Sequence, residues 1–175
     1  SLFLLDWIYN RPRPEDDAMP LTIANFLGLP IFATSEAPYD IVHTGGNFMA
    51  DGFGTAFSSY LVYDENGPDG EFNQTVKTPA QTDALMDQWM GINQYITMPT
   101  LPYDAIHHID MHMKLLDEER LLVGQFPVGV SDGPQIETNL QDHVMGHNSV
   151  FGDPYEVLRI PMPPSTGGQY PPSAS

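Results

Sequence analysis

The chain has 175 residues, 41% of them apolar, so it is long enough and apolar enough to form a domain with a sizeable core. Its 23 acidic residues outnumber its 6 lysines and arginines, which gives a net charge of −17. This charge argues against nucleic acid or an anionic membrane as a partner, because both would be repelled. The absence of cysteine excludes a disulfide framework, a zinc–thiolate site and a thiol nucleophile within these residues.

The first half of the chain predicts short strands separated by loops and one helix. Residues 2–9 mix large aliphatic and aromatic side chains and predict a buried strand. The segment "NRPRPEDDAMP" predicts a loop because its prolines disfavour a helix or a central strand. Residues 20–28 predict a short helix between a proline and a glycine, and "PIFATS" predicts a second strand.

The middle of the chain combines glycine-punctuated extended pieces with a clear helix. Gly45-Gly46 and Asp51-Gly52 interrupt short extended segments. Residues 79–90 predict an amphipathic helix that ends at Gly91. Its apolar residues at helical spacing, which we expect in the core, are Leu85, Met86 and Trp89.

The last third predicts a hairpin, a helix and a final strand. "HIDMHMKLL" and "RLLVGQFPV" read as two strands joined by an acidic turn. Residues 135–146 predict a helix, and residues 155–160 predict a strand. Short strands that alternate with helices indicate an α/β protein.

The stretch "HHIDMH" is the densest group of chemically active side chains. On a strand, His108, Asp110 and His112 would share one face. That arrangement suits a proton-transfer group beside a carboxylate that binds a cation. It also suits a divalent metal, with His143 and His147 completing the ligand set if they lie on a helix. The remaining interpretation is a polar strand face without a special role.

Two other segments offer binding chemistry. Arg11 and Arg13 stand two apart in a proline-stiffened loop, where their guanidinium groups could clamp a carboxylate or pair with the acidic residues next to them. Gly45 and Gly46 precede Asn47, and glycines allow another chain or a ligand to approach the backbone closely.

Together, "DWIYNRPRPEDD", "TGGNFMADGFGTAFSS" and "HIDMHMKLL" resemble, in this order and spacing, the bacterial Porphyromonas-type peptidylarginine deiminases of the pentein superfamily. The resemblance runs from residue 2 to about residue 172. It implies a pentein-type α/β propeller of ββαβ modules around a central site. It also implies hydrolysis of the guanidinium of arginine to citrulline and ammonia, without a metal or other cofactor.

The resemblance matches seven residues to the family's site and implies individual roles for four of them. His108 matches the catalytic histidine and Asp110 a guanidinium-binding carboxylate of the family. Arg11 and Arg13 match the arginines that face the carboxylate of a C-terminal arginine. The family's glycine-rich segment near the site is matched by Gly45, Gly46 and Asn47, to which no individual role is assigned.

The sequence departs from the family in its nucleophile. The family's cysteine and its second guanidinium-binding aspartate have no counterpart here, and His112 stands where relatives have an aromatic residue. We therefore expect residues 1–160 to be a partial pentein catalytic domain, inactive alone, and residues 161–175 to be a Pro/Gly/Ser-rich loop that leads to the rest of a larger enzyme.

The expected partners are an arginine-containing peptide or protein substrate and the remaining part of the same enzyme. The resemblance alone implies a secreted, cell-surface or periplasmic location. Three alternatives stay open: an agmatine or free-arginine deiminase, a non-catalytic pentein-like binding or structural chain, and a metal-binding protein that uses histidine and aspartate. The absence of cysteine favours the non-catalytic alternative.

Overall fold

The computed structural model describes residues 2–130 and 132–163, which fall into two compact units. Among these residues, the first unit comprises residues 2–44 and Val62–Gly91, and the second comprises Gly45–Leu61 and residues 92–130 and 132–163. No helix in the described ranges combines the length and the apolar character that crossing a membrane requires.

The sheet of the first unit consists of three parallel strands in the order β2-β1-β3. Their bounds are Leu4–Tyr9 for β1, Ile31–Thr34 for β2 and Val42–His43 for β3. The strands predicted at residues 2–9 and in "PIFATS" are therefore confirmed, but β1 is half-buried along its length and not buried as predicted. Their parallel pairing, which joins residues far apart along the chain, did not follow from the sequence.

The helices of this region correct one prediction and confirm two. Their bounds are Pro14–Asp17 for α1, Met19–Leu27 for α2, Leu61–Asn66 for α3 and Pro79–Met90 for α4. The prediction of a continuous loop before α2 was wrong, because α1 forms one helical turn there. Pro14 is tolerated in α1 because the first N–H of a helix has no partner within the helix.

Helix α4 ends where the sequence predicted because both of its ends are capped. Thr78 and Gln81 form a reciprocal capping box, and Gly91 takes the left-handed conformation with φ of 69°. Of the three residues expected in the core, Met86 is only 1% exposed, whereas Leu85 and Trp89 are half-buried.

A buried ion pair precedes this helix in the first unit. Lys77 Nζ lies 3.2 Å from Asp40 Oδ1, and both side chains are 5% exposed. Burial raises the pKa of Asp40, but hydrogen bonds from Thr75 and Lys77 and the Lys77 charge lower it more, so the pKa lies below its usual value.

The second unit contains two three-stranded sheets of the same design. In each, the first two strands are antiparallel and the third pairs in parallel with the second. One sheet comprises β4 (Met49–Ala50), β5 (Thr55–Ser59) and β6 (Gln94–Met98). The other comprises β7 (Met113–Leu115), β8 (Arg120–Gln125) and β9 (Glu156–Pro161).

A helix connects the parallel strands β8 and β9. Helix α5 (Gly133–Asn139) continues as a π-helical turn over Leu140–Val144, which confirms the helix predicted at residues 135–146. The order β7-β8-α5-β9 is a ββαβ module. The core of the second unit includes Met49, Phe57, Ile96, Met98, Leu101, Ile109, Met113, Leu121, Val123, Phe126, Ile136, Val144 and Tyr155.

The predicted α/β class is confirmed, and the propeller is only partly represented. The described residues form three separate three-stranded sheets and no closed propeller. Of the predicted loop 161–175, Pro161 is the last residue of β9. Residues 164–175 lie outside the described part of the chain.

Candidate active site

Asn47 connects three segments of the second unit. It belongs to the 3-10 turn Gly45–Asn47 and is 1% exposed. Its side-chain Oδ1 accepts hydrogen bonds from the backbone N–H of Ser59 at 2.9 Å and of Ile109 at 3.1 Å. The Ser58 hydroxyl donates to the Asn47 carbonyl at 2.6 Å. One buried amide thus fixes the glycine turn against β5 and against the segment that carries Asp110.

That segment is a 3-10 turn over Ile109–Met111, so the strand predicted through "HHIDMH" is wrong before Met113. The cause is tertiary: the N–H of Ile109 bonds to the Asn47 side chain, and the Ile109 side chain is fully buried in the core. Because the segment is not a strand, the alternation that placed His108, Asp110 and His112 on one face does not apply.

His108 and Asp110 nevertheless lie together, over Gly46. A Cβ atom added to Gly46 would overlap His108 Nδ1 and lie 3.1 Å from Asp110 Oδ2. The same atom added to Gly45 would meet nothing within 4 Å. The missing side chain of Gly46 therefore makes the space that the imidazole and the carboxylate occupy.

The carboxyl of Asp110 is poised to receive a cation. Its loss of solvation raises its pKa above the usual value, and repulsion from Asp104 raises it further, against the opposing effects of His108 and Lys114. A bound guanidinium would offset both unfavourable contributions, since an adjacent positive charge stabilises the ionised carboxylate.

The residue that precedes His108 has an unusual backbone conformation. His107 has a positive φ of 57°, which is uncommon for a residue with a side chain. The Ser59 hydroxyl donates a hydrogen bond to the His107 carbonyl and so holds this conformation. The backbone turn at His107 aims the next side chain, that of His108, toward the glycine turn.

Sequence reasoning missed two buried carboxylates next to this turn. Asp104 is 5% exposed and Asp132 is fully buried, and each has one carboxylate oxygen without a hydrogen-bond partner. Burial raises the pKa of Asp132, repulsion from Asp104 adds to the effect, and His107 opposes it. Asp104 could have been noticed in "YDAIHHID", whereas nothing in the sequence connects Asp132 with this region.

His112, which was predicted to share a face with His108 and Asp110, lines the wall of one cavity together with Asp110. It is 5% exposed, and neither ring nitrogen has a hydrogen-bond partner. Burial lowers its pKa to about 4, so the imidazole is neutral at physiological pH.

The metal interpretation of these histidines finds no support. Within residues 2–130 and 132–163, no group of three or more His, Cys, Asp or Glu side chains is arranged to hold a metal ion. His143 packs edge-on against Tyr60, with ring centroids 6.0 Å apart. His147 lies exposed beyond the π-helical turn, so the helical spacing required of the two does not occur.

Arg11 and Arg13 belong to the first unit, and their roles toward a substrate stay predictions. Arg13 lies 3.7 Å from Asp16, with both side chains more than half exposed. Arg11 Nη1 donates to the Asn10 carbonyl at 2.9 Å. The alternative of pairing with neighbouring acidic residues thus holds for Arg13, although such an exposed pair is weak.

No protein-family model matches the chain. Solved structures match it more closely in fold than in sequence. An agmatine deiminase of Enterococcus faecalis is similar over 91% of this chain and 44% of its own, with a TM-score of 0.72 and 15% identity. A candidate arginine deiminase from Porphyromonas gingivalis matches over 85% of this chain and 43% of its own, with a TM-score of 0.67 and 16% identity.

A candidate peptidyl-arginine deiminase matches over 94% of this chain and 50% of its own, with a TM-score of 0.69 and 16% identity. The chain thus spans half or less of the length of these proteins. At such identities the likeness concerns the fold alone. The chain has a mixed α/β fold similar to that of these deiminases over part of their length.

Proposed function

We propose that this chain carries the histidine–aspartate part of a site that hydrolyses guanidino groups. The observation that carries the proposal is the packing of His108 and Asp110 over Gly46, in a turn fixed by Asn47. A partly desolvated carboxylate and an imidazole beside one glycine turn provide a cation-binding group and a proton-transfer group for one substrate. The fold shared with solved deiminases supports the same chemistry.

The proposed reaction uses these two groups together with a thiol from outside these residues, since the chain has no cysteine. Asp110 binds the guanidinium while the thiolate attacks its carbon. His108 donates a proton to the amino group that leaves as ammonia when the C–N bond breaks. His108 then removes a proton from water, which attacks the same carbon, releases the thiol and leaves a ureido product.

The substrate that we favour is a peptide ending in arginine. Arg11 and Arg13 lie in a proline-rich segment, and the exposed Arg13–Asp16 pair can be exchanged for a ligand carboxylate at little cost. Agmatine is the second candidate, because one of the similar structures is an agmatine deiminase. Agmatine has no carboxylate, so the two substrates would depend differently on these arginines. A secreted location remains a prediction.

Binding to the chain itself tests the site without the missing thiol. We expect arginine peptides and agmatine to shift the imidazole NMR signals of His108, and Asp110→Asn to weaken this binding by at least about tenfold. Asp142→Asn, which removes an exposed carboxylate from the same unit, is the matched control. Binding that is equal in the wild type and in Asp110→Asn would overturn the proposal.

Catalytic turnover is measured in a protein that contains both this sequence and the nucleophilic thiol. We expect a ureido product from guanidino substrates, and its loss in His108→Gln but not in the exposed control His147→Gln. The double variant Arg11→Ala/Arg13→Ala should impair reaction of C-terminal arginine far more than of agmatine. Equal losses of activity with the two substrates would contradict the proposed carboxylate clamp but not the deiminase proposal.

A further inference from the structure

A cavity of about 160 Å³ in the second unit is lined by Asp110 and by side chains that have no role in the proposed deimination. Its wall includes Asp110, Met111, His112, Lys114, Gly124 and Met162. Asp110 and Lys114 carry opposite charges that interact, and the remaining side-chain donor atoms are an imidazole and thioethers.

His112 is the unusual member of this wall. It is only 5% exposed, and neither ring nitrogen has a hydrogen-bond partner. A buried polar group without a hydrogen bond costs about 1–3 kcal/mol, so such groups are rare in native structures. An unpartnered imidazole that lines a cavity indicates that the cavity receives a group which the nitrogen can bind.

The sulfur of Met162 lies on the same side of the sheet as this imidazole. Met113 pairs with Val123, and the Gly124 N–H donates to the His112 carbonyl at 2.8 Å, so His112 and Gly124 are opposite each other. Opposed residues of antiparallel strands project toward the same face. Met162 Sδ occupies the place where a Gly124 Cβ would stand. The glycine thus leaves room for a thioether in the cavity that His112 also lines.

We propose that this cavity binds a soft monovalent metal ion of the Cu(I) type through an imidazole nitrogen of His112 and the thioether sulfur of Met162. Thioethers favour Cu(I) over hard cations, and neutral imidazole is a common copper ligand. Met111 also lines the cavity and can supply a further sulfur. The net charge of −17 attracts a cation to the protein. This site differs from the rejected cluster of histidines and carboxylates because it depends on sulfur.

The test is titration of the purified protein with Cu(I) under anaerobic reducing conditions at pH 7, in competition with a chromogenic Cu(I) chelator. Ag(I) replaces Cu(I) for detection of methionine methyl signals by NMR. We expect one ion per chain, a shift of the Met162 methyl signal, and affinity lowered at least about tenfold in His112→Phe and in Met162→Leu. Zn²⁺ should not compete.

Two controls separate this site from adventitious binding. His147→Phe and Met145→Leu replace exposed residues of the same types and should leave the affinity unchanged. The near-isosteric Met162→Leu keeps the proposal testable should His112→Phe fail to fold. Wild-type affinity in Met162→Leu, or an unshifted Met162 methyl signal at one equivalent of Ag(I), would overturn the proposal. Neither outcome depends on deiminase activity.

Discussion

Asn47 accepts a hydrogen bond from the backbone N–H of Ile109, 62 residues further along the chain. The same side-chain oxygen accepts a second bond from the Ser59 N–H. Since Ile109 lies between His108 and Asp110, this contact determines where both candidate site residues stand. The glycine turn and the catalytic candidates are therefore one structural unit.

We predict that Asn47→Ala destabilises the protein by about 3 kcal/mol, because two buried backbone N–H groups lose their acceptor and each costs about 1–3 kcal/mol. Denaturant unfolding monitored by circular dichroism gives this value. Asn148→Ala, at an exposed position, is the control and should change stability by less than about 0.5 kcal/mol. Similar losses in both variants would show that the hydrogen bonds of Asn47 contribute little.

Neighbouring glycines provide the sharpest test of the site geometry. We predict that Gly46→Ala displaces His108 and reduces kcat/KM for deimination on the order of 100-fold, since its Cβ would overlap the imidazole. Gly45→Ala should be nearly neutral, because its Cβ would meet nothing within 4 Å. In the chain without the thiol, the measurement is guanidinium binding and the His108 NMR signals. Equal effects at the two positions would contradict the packing described here.

Opposite pKa shifts predict opposite stability changes for two aspartates. The raised pKa of Asp110 means that ionisation destabilises the folded state at neutral pH, so Asp110→Asn should increase the free energy of unfolding at pH 7. Hydrogen bonding to Arg120 lowers the pKa of Asp117, so Asp117→Asn should decrease it. Both differences should disappear when both residues are protonated in the folded and unfolded states. Unfolding curves from pH 2 to pH 7 measure these differences, and changes of the same sign would refute the assignment.

His112 should make the protein sensitive to acid. Its pKa is 6.5 in the unfolded chain and about 4 in the folded state, so only the unfolded state binds the proton between these values. The free energy of unfolding should fall by about 3 kcal/mol as the pH drops from 6.5 to 4. His112→Phe should remove this part of the pH dependence, whereas His147→Phe should retain it. Parallel curves for wild type and His112→Phe would contradict the burial of a neutral imidazole.

The buried ion pair of the first unit predicts a large effect from one substitution. Lys77→Met should destabilise the protein by about 3–5 kcal/mol, because Asp40 is then left buried without its countercharge. The double variant Asp40→Leu/Lys77→Met should recover part of this loss. Thermal and denaturant unfolding of the three proteins distinguish an uncompensated charge from lost packing, which the double variant would not restore.

Local signals were enough for several elements. Helix α4 begins and ends as predicted because Thr78, Pro79 and Gly91 provide its boundaries within the segment itself. The strand β1 follows from its run of large apolar side chains. The loop before α2 was misjudged because proline is acceptable in the first turn of a helix, where its missing N–H has no function.

The sequence identified part of the candidate site, but the geometry that brings its residues together differs from the predicted one. The residue types of His108 and Asp110 indicated the chemistry, but the alternation of a strand was the wrong geometry. The buried carboxylate of Asp132 accepts a hydrogen bond from the backbone N–H of Tyr103. The two residues are 29 positions apart in the sequence, so no local pattern could have associated them.

The sequence alone determined the α/β class, the excess of negative charge, the lack of an internal thiol, and the short segments in which acid–base and guanidinium-binding chemistry is possible. Only the tertiary structure decided that Ile109 is buried against Asn47, that Gly46 provides the space for His108 and Asp110, and that His112 and Met162 line one cavity. These outcomes depend on contacts between segments distant in sequence. Their energies come from burial and from satisfying particular backbone groups, which no local pattern of residues specifies.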